Sequence, residues 1–198
     1  MSSTNRGTRR AADDVYPTPS WCVQRFLEHV DLPGGLWLDP CAGDGAIIRA
    51  VRPLYPDVVW SAVEIRDECF GKLAYEVSGE RVQLGDFLTI KLLEAPRVVI
   101  GNPPYSLAQE FVARAMEVSD VAAFLLRLNF LASAKRAAWG RESTPDVYVL
   151  PNRPSFTGGR TDSCEYAWFV WRRKELPRSS GSLTVLATTP REERLGES

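Results

Sequence analysis

Short apolar runs of strand length alternate with segments of helical periodicity along the middle of the chain, and this alternation leaves few folds open. The spacing predicts strands at Leu36–Leu38, Val58–Glu64, Val82–Leu84, Val98–Ile100, Ala122–Leu128, Val147–Leu150 and Tyr166–Trp171. Helices are expected over Ser20–Val30, Ala46–Arg52, Glu68–Val77, Leu107–Val118 and Ala132–Trp139. Apolar strands that alternate with helices build a mostly parallel sheet covered on both faces. The last two strands are joined by the loop Asn152–Ser163 with no helix between them, so they form an antiparallel hairpin at one edge. The expected fold is α/β: one doubly wound, mostly parallel, seven-stranded sheet with a C-terminal antiparallel hairpin. In such sheets ligands bind beyond the carboxyl ends of the strands, so function is sought there.

A chain of 198 residues accommodates one domain, placed here at residues 15–175. Residues 1–14 and 176–198 are polar and weakly patterned and read as tails, the second with room for one short strand over Leu183–Thr188. Apolar runs such as Val121–Leu126 fall far short of the ~18 residues a membrane span needs. The N-terminal MSSTNRGTRRAADD has no apolar core of a secretory signal, so a cytoplasmic protein is expected. The four cysteines lack C-x-x-C spacing and the one histidine, His29, has no partner, so reduced thiols and no metal site are expected. Net charge is only −1, which argues against a generic polyanion binder, but the charge is unevenly spread. Asp13–Phe70 carries ten acids against four arginines, whereas Arg127–Arg178 carries ten basic residues against five acids. The two halves suit different ligands, the basic one a polyanion.

Four strand ends carry chemistry. The first is Asp39-Pro40-Cys41-Ala42-Gly43-Asp44-Gly45, a glycine turn between a strand and a helix that lets backbone approach a ligand closely. The third glycine of a dinucleotide fingerprint is replaced by Ile48, which weakens a nicotinamide reading. The second is Glu64, about twenty residues after the glycines, where an acid accepts from ribose hydroxyls. The third is Gly85-Asp86-Phe87, a carboxylate for an exocyclic amine beside an aromatic to cover its ring. The fourth is Asn102-Pro103-Pro104-Tyr105. Its prolines end the strand and remove N–H donors. The Asn102 amide oxygen and the Pro103 carbonyl accept from one NH2 group, and Tyr105 offers a flat face to a planar base or amide.

DPCAGDG, VEI, GDF and NPPY, in this order at successive strand ends, resemble the S-adenosylmethionine-dependent N6-adenine methyltransferases, most nearly the small phage-type DNA enzymes. Tyr16–Pro19, Leu126–Phe130 and Arg153–Trp168 extend the resemblance over about Tyr16 to Trp171. It implies a Rossmann-like methyltransferase fold with S-adenosylmethionine as cofactor. Asp39, Cys41 and the Gly43–Gly45 loop would hold the methionine moiety, Glu64 with Ile65 the ribose, and Asp86 with Phe87 the adenine. Tyr16 and Thr18 would fold over the carboxylate end of the cofactor. Asn102, Pro103 and Pro104 would receive the target amine, with Tyr105 stacked on the flipped base and Phe156 on its other face.

Lys135, Arg136 and Arg160, with the hairpin loop, form the expected nucleic-acid track. The NPPY motif also serves glutamine methyltransferases, so substrates other than DNA stay open. These are RNA adenine, protein glutamine, or none, as in a nucleic-acid-binding pseudo-enzyme. The basic hairpin argues against glutamine, and the intact Asn102–Tyr105, Glu64 and Asp86 against a pseudo-enzyme.

Overall fold

The computed structural model describes residues 17–156, 162–173 and 181–195. In chain order it contains α1 (Ser20–Leu27), β1 (Leu36–Asp39), α2 (Ala46–Val51), β2 (Val59–Glu64), α3 (Phe70–Glu76), β3 (Val82–Leu84) and β4 (Val98–Gly101). There follow α4 (Ala108–Val118), β5 (Val121–Arg127), α5 (Ala137–Glu142), β6 (Asp146–Leu150), β7 (Tyr166–Arg172), β8 (Leu183–Val185) and α6 (Arg191–Leu195).

All strands lie in one sheet of order β3-β2-β1-β4-β5-β7-β6-β8. β7 runs antiparallel to both neighbours and every other pairing is parallel. The expected α/β sheet is therefore present, with eight strands rather than seven. The added strand, β8, covers the outer edge of β6 and falls within Leu183–Thr188, where the sequence left room for one short strand. That segment is tied down by Thr189, 2% exposed, whose amide donates to Asn152 Oδ1 at 2.7 Å. Arg25 of α1 donates to Thr189 Oγ1 and pairs with Glu193 at 2.7 Å, which fixes α6 beside α1. Local polarity hid the contacts with Arg25 because they join residues more than 160 positions apart.

Period-two alternation divides the core into two layers. Trp37, Ala62, Ile100, Ala123, Leu125 and Trp168 face α1, α2 and α3; Leu38, Val63, Val99, Phe124, Leu126 and Phe169 face α4 and α5. β5 and β7 are buried along almost their whole length, consistent with their apolar sequences. On the first face Trp168 is fully buried, stacks on Phe26 at 4.7 Å, and donates its indole N–H to the Cys22 carbonyl at 2.9 Å.

Several boundaries shift in ways that shape the site. The helix expected from Glu68 opens as a single tight turn over Asp67–Cys69. The segment expected as helix from Ala132 turns tightly at Ala134–Arg136 before α5 begins. The strand expected to reach Leu128 ends at Arg127, and Leu128–Phe130 forms a tight turn. Its cause is tertiary: the Leu128 amide donates to the Glu165 carbonyl just before β7, and Phe130 packs against Trp139, Phe169 and Trp171. The prolines after β4 act as expected, with Tyr105–Leu107 forming one tight turn into α4.

Trp168→Ala removes a fully buried ring and its hydrogen bond, so a loss of about 3–5 kcal/mol in unfolding free energy is expected from urea denaturation. A loss under about 1 kcal/mol would mean that the α1 face is not closed by this residue.

Candidate active site

The direction in which the chain crosses the sheet reverses between β1 and β4, which leaves their carboxyl ends side by side. The strands approach so closely there that a β-carbon on Gly101 would lie 3.0 Å from Pro40 Cδ and 3.4 Å from Asp39 Oδ1. Asp39, at the end of β1, is 1% exposed, and its Oδ1 accepts from the Cys41 amide at 3.2 Å. Burial dominates its titration; with Glu64 and Asp44 nearby it outweighs that hydrogen bond and pushes the carboxyl up to about 8. Cys41 is also pushed well above its usual value, by burial first and then by Asp39 and Glu64. Its sulfur is thus a thiol at neutral pH, poorly suited to covalent attack.

The glycine turn folds over the end of β2. Gly43 and Gly45 take φ of +56° and +83°, values that side chains rarely adopt. The Gly43 amide donates to Glu64 Oε2 at 2.7 Å, so the loop and the acid form one unit. Glu64 Oε1 accepts from the Ile65 and Arg66 amides at 3.0 and 3.1 Å and from Arg66 Nε at 2.9 Å. Burial raises Glu64, but the Arg66 side chain and these amides outweigh it and hold the carboxyl below its ordinary value. Glu64 is therefore ionised beside a buried acid that is largely protonated, two carboxyls on adjacent strands with opposite states. Arg66 was not singled out from sequence, although its position two residues after Glu64 is a legible signal.

Asn102 is held at both ends. Its Nδ2 donates to Thr18 Oγ1 at 3.1 Å, and its Oδ1 accepts from the Tyr105 hydroxyl at 3.0 Å. Thr18, 5% exposed, thus joins the segment before α1 to the loop after β4. Pro103 is buried beside Asn102 and Pro104 is exposed. Tyr105 is half-buried and its hydroxyl is held neutral, by burial first and then by Tyr166. The Tyr105, Tyr166 and Phe156 rings form a row, with centroids 5.6 Å apart and then 5.2 Å apart. Phe156 meets Tyr166 edge-on, so Tyr166, unmarked in the sequence reading, is the ring that adjoins Tyr105. Burial pushes the Tyr166 hydroxyl up to about 12, and it donates to Asp162 at 2.7 Å.

The other expected residues are placed less centrally. Asp86 is exposed, and its Oδ1 accepts from the Leu88 amide at 2.9 Å. Phe87 is buried at 5.3 Å from Phe111, a core ring rather than an open surface. Ile65 is exposed at the rim. Lys135 is exposed, whereas Arg136 donates through Nε and Nη2 to the Phe130 carbonyl at 3.0 and 2.9 Å and so pins its own loop. Tyr16 and Arg160 lie outside the described residues. Beside Tyr105 opens a cleft of about 350 Å³ lined by Leu126, Arg127, Asn129, Phe130 and Arg136. A hollow of about 320 Å³ around Leu36, Ser61 and Gln83 contains none of the strand-end residues. Among the described residues no group of His, Cys, Asp and Glu is arranged to hold a metal ion, and no helix is long and apolar enough to cross a membrane.

No family model and no curated protein matches the chain. Solved structures do. A protein of Listeria monocytogenes provisionally described as a class I S-adenosylmethionine-dependent methyltransferase superposes with a TM-score of 0.62 at 14% identity, over 89% of this chain and 65% of its own. A type I restriction-modification system methyltransferase subunit from Streptococcus thermophilus superposes at 0.58 with 17% identity, over 83% of this chain and 46% of its own. The 23S rRNA methyltransferase ErmE gives 0.55 and 18%, over 77% and 67%. The chain thus has the fold of the S-adenosylmethionine-dependent methyltransferases, and it spans about two thirds of the first of these relatives and under half of the second.

The Asp39 carboxyl binds its proton more tightly folded, at about 8, than unfolded, near 3.8. Stability of the ligand-free protein therefore falls as pH rises from about 4 to about 8, and levels off above that. Asp39→Asn should flatten this part of the profile and raise Tm most at the alkaline end. Parallel melting curves of the two proteins across this range would refute the burial of an unpaired acid.

Proposed function

We propose that this protein transfers a methyl group from S-adenosylmethionine to the N6 amine of adenine in DNA, with the target base turned out of the duplex. The observation that carries the reading is the Asn102 amide, held between Thr18 and Tyr105 one strand away from the buried Asp39. Nδ2 points to the N-terminal segment and Oδ1 to the tyrosine. Oδ1 is thus an acceptor beside Tyr105, which supports the reading that it would receive the amine of a base stacked there.

The residues present fit the cofactor. Among the described residues the buried Asp39 carboxyl receives a single amide donor, and a bound ammonium group would supply the charge that favours its ionised form. Glu64, fixed by the Gly43 amide, would hold the ribose, whose hydroxyls would replace the Arg66 side chain among the Glu64 donors. When bound, the cofactor supplies an electrophilic methyl on a sulfonium.

The protein's own part is positional. An adenine amine is a poor nucleophile because its lone pair is delocalised into the ring. Hydrogen bonds to Asn102 Oδ1 and the Pro103 carbonyl favour a pyramidal nitrogen and aim its lone pair out of the ring plane. The Asn102 oxygen has a second lone pair available while it accepts from Tyr105. The contribution of these residues is thus to orient the amine. Turning the base out costs a few kcal/mol, offset in part by stacking on Tyr105. The neutral Cys41 is consistent with direct transfer and no enzyme–base adduct. The restriction-modification and 23S rRNA methyltransferases among the structural relatives support a nucleic-acid substrate, the second keeping RNA adenine as the alternative.

The test is incubation with methyl-labelled S-adenosylmethionine and, separately, duplex DNA, single-stranded DNA, RNA and release factor, followed by digestion and identification of the product. N6-methyladenine from DNA is expected; methylglutamine or no labelled product would overturn the reading. Asn102→Ala should lower turnover by about 10²–10³, by analogy with removing one preorganised group at a reacting centre, while calorimetry finds the cofactor still bound. Near-normal turnover in Asn102→Ala would remove the amide from the chemistry.

A further inference from the structure

The turn after β5 holds a cation that the scheme above leaves unused. Arg127 is the last residue of β5, and the strand register pairs it with Tyr166 of β7. Its Nε donates to the Tyr166 hydroxyl at 3.4 Å, and that hydroxyl is in turn fixed to Asp162. Among the described residues Arg127 has no ion pair within 4.0 Å, and its two terminal nitrogens have no hydrogen-bond partner. Burial works against its charge, but the Tyr166 hydroxyl and, at longer range, Asp162 outweigh it, so the guanidinium stays charged while its terminal fork is left unbonded. Half-buried Arg66 and Arg25 are ion-paired, with Glu64 and Glu193, and Arg136 and Arg172, which have no ion pair, donate through their terminal nitrogens to backbone carbonyls; the Arg127 fork does neither.

Arg127 also lies in a particular place. Its guanidinium carbon stands 4.9 Å from the centroid of the Tyr105 ring, and both residues line the cleft beside the NPPY loop. The floor there is apolar, from Leu126 and Phe130, with the exposed Asn129 amide at the rim. An entering planar base and the guanidinium cannot share one face of Tyr105, since a stacked ring needs about 3.4 Å of its own. The guanidinium is planar and moves as one unit, so leaving the ring gives up only the single 3.4 Å bond from Nε to Tyr166.

From this geometry we infer that Arg127 binds the phosphodiester of the target nucleotide: it covers Tyr105 when no nucleotide is bound, and it exchanges that ring for the phosphate when the base enters. A planar fork of N–H donors matches phosphate oxygens, and an unpaired charge at the base-binding cleft supplies the attraction. The inference rests on the nucleic-acid reading of the same cleft. It needs only a phosphodiester there, in DNA or RNA, and does not depend on which atom is methylated.

The test uses the full chain, its Arg127→Gln and Arg127→Lys variants, and an adenine-containing duplex oligonucleotide. Affinity is measured by fluorescence anisotropy from about 50 to 200 mM salt, cofactor binding by calorimetry, and methyl transfer by label. Loss of one phosphate contact lowers the slope of log affinity against log salt by about 0.9 on duplex DNA, or about 0.7 on a single strand. Arg127→Gln should show that drop and a KM raised about tenfold or more, with cofactor affinity unchanged. Arg127→Lys should recover the slope, because the charge is kept. An unchanged slope in Arg127→Gln, even with turnover reduced, would overturn the inference and leave Arg127 as a prop for Tyr105 and Tyr166. A wild-type chain that binds nucleic acid but methylates none would overturn the methyl-transfer reading, while the slope comparison would still decide Arg127. A wild-type chain with no salt-dependent binding to duplex or single strand would overturn both.

Discussion

The close approach of the β1 and β4 ends, set by Gly101 packed against Pro40 and Asp39, is the constraint on which the site depends. Parallel strands side by side send their following loops out at the same end of the sheet. Here those loops carry Asp39 to Gly45 on one side and Asn102 to Tyr105 on the other. Because the chain moves outward in opposite directions from this pair, the helices that follow the two loops, α2 and α4, pack on opposite faces of the sheet. A larger side chain at Gly101 would push apart the two groups that the proposed transfer must bring together.

The electrostatics follow from that crowding. Asp39 and Glu64 end adjacent strands, and both are almost fully buried. Glu64 receives two amides of its own turn, the Gly43 amide and the Arg66 side chain, and remains ionised. Asp39 receives one amide and gains its proton. Hydrogen-bond supply separates the two acids, and it leaves Asp39 as the position where a cationic ligand group would change the protein most. Arg127 contrasts with Asp39: the Tyr166 hydroxyl and, at longer range, Asp162 outweigh its burial, so it keeps its charge with its terminal nitrogens unbonded.

On the other side of Asn102 the arrangement is aromatic. Antiparallel pairing of β5 with β7 brings Arg127 to Tyr166, and Tyr166 to Tyr105. The NPPY loop is therefore buttressed by a strand more than sixty residues further along the chain. This links the final hairpin to the chemistry of the loop after β4, and gives β7 a role beyond filling the sheet.

The sequence alone determined the alternation of elements, the strand ends that carry polar residues, and the hairpin. Each is a local pattern: apolar runs of strand length, glycines between strand and helix, two prolines that stop β4. The pairing of Glu64 with Arg66 was within reach too, being a contact between near neighbours. Tertiary structure decided the rest. It placed Phe87 in the core against Phe111, set Tyr166 between Phe156 and Tyr105, occupied Arg136 with the Phe130 carbonyl, and recruited residues 183–185 as an eighth strand. Those outcomes rest on strand register and on which side of the sheet a loop returns. Both are set by burial and pairing between segments far apart in the chain, where local periodicity carries no information.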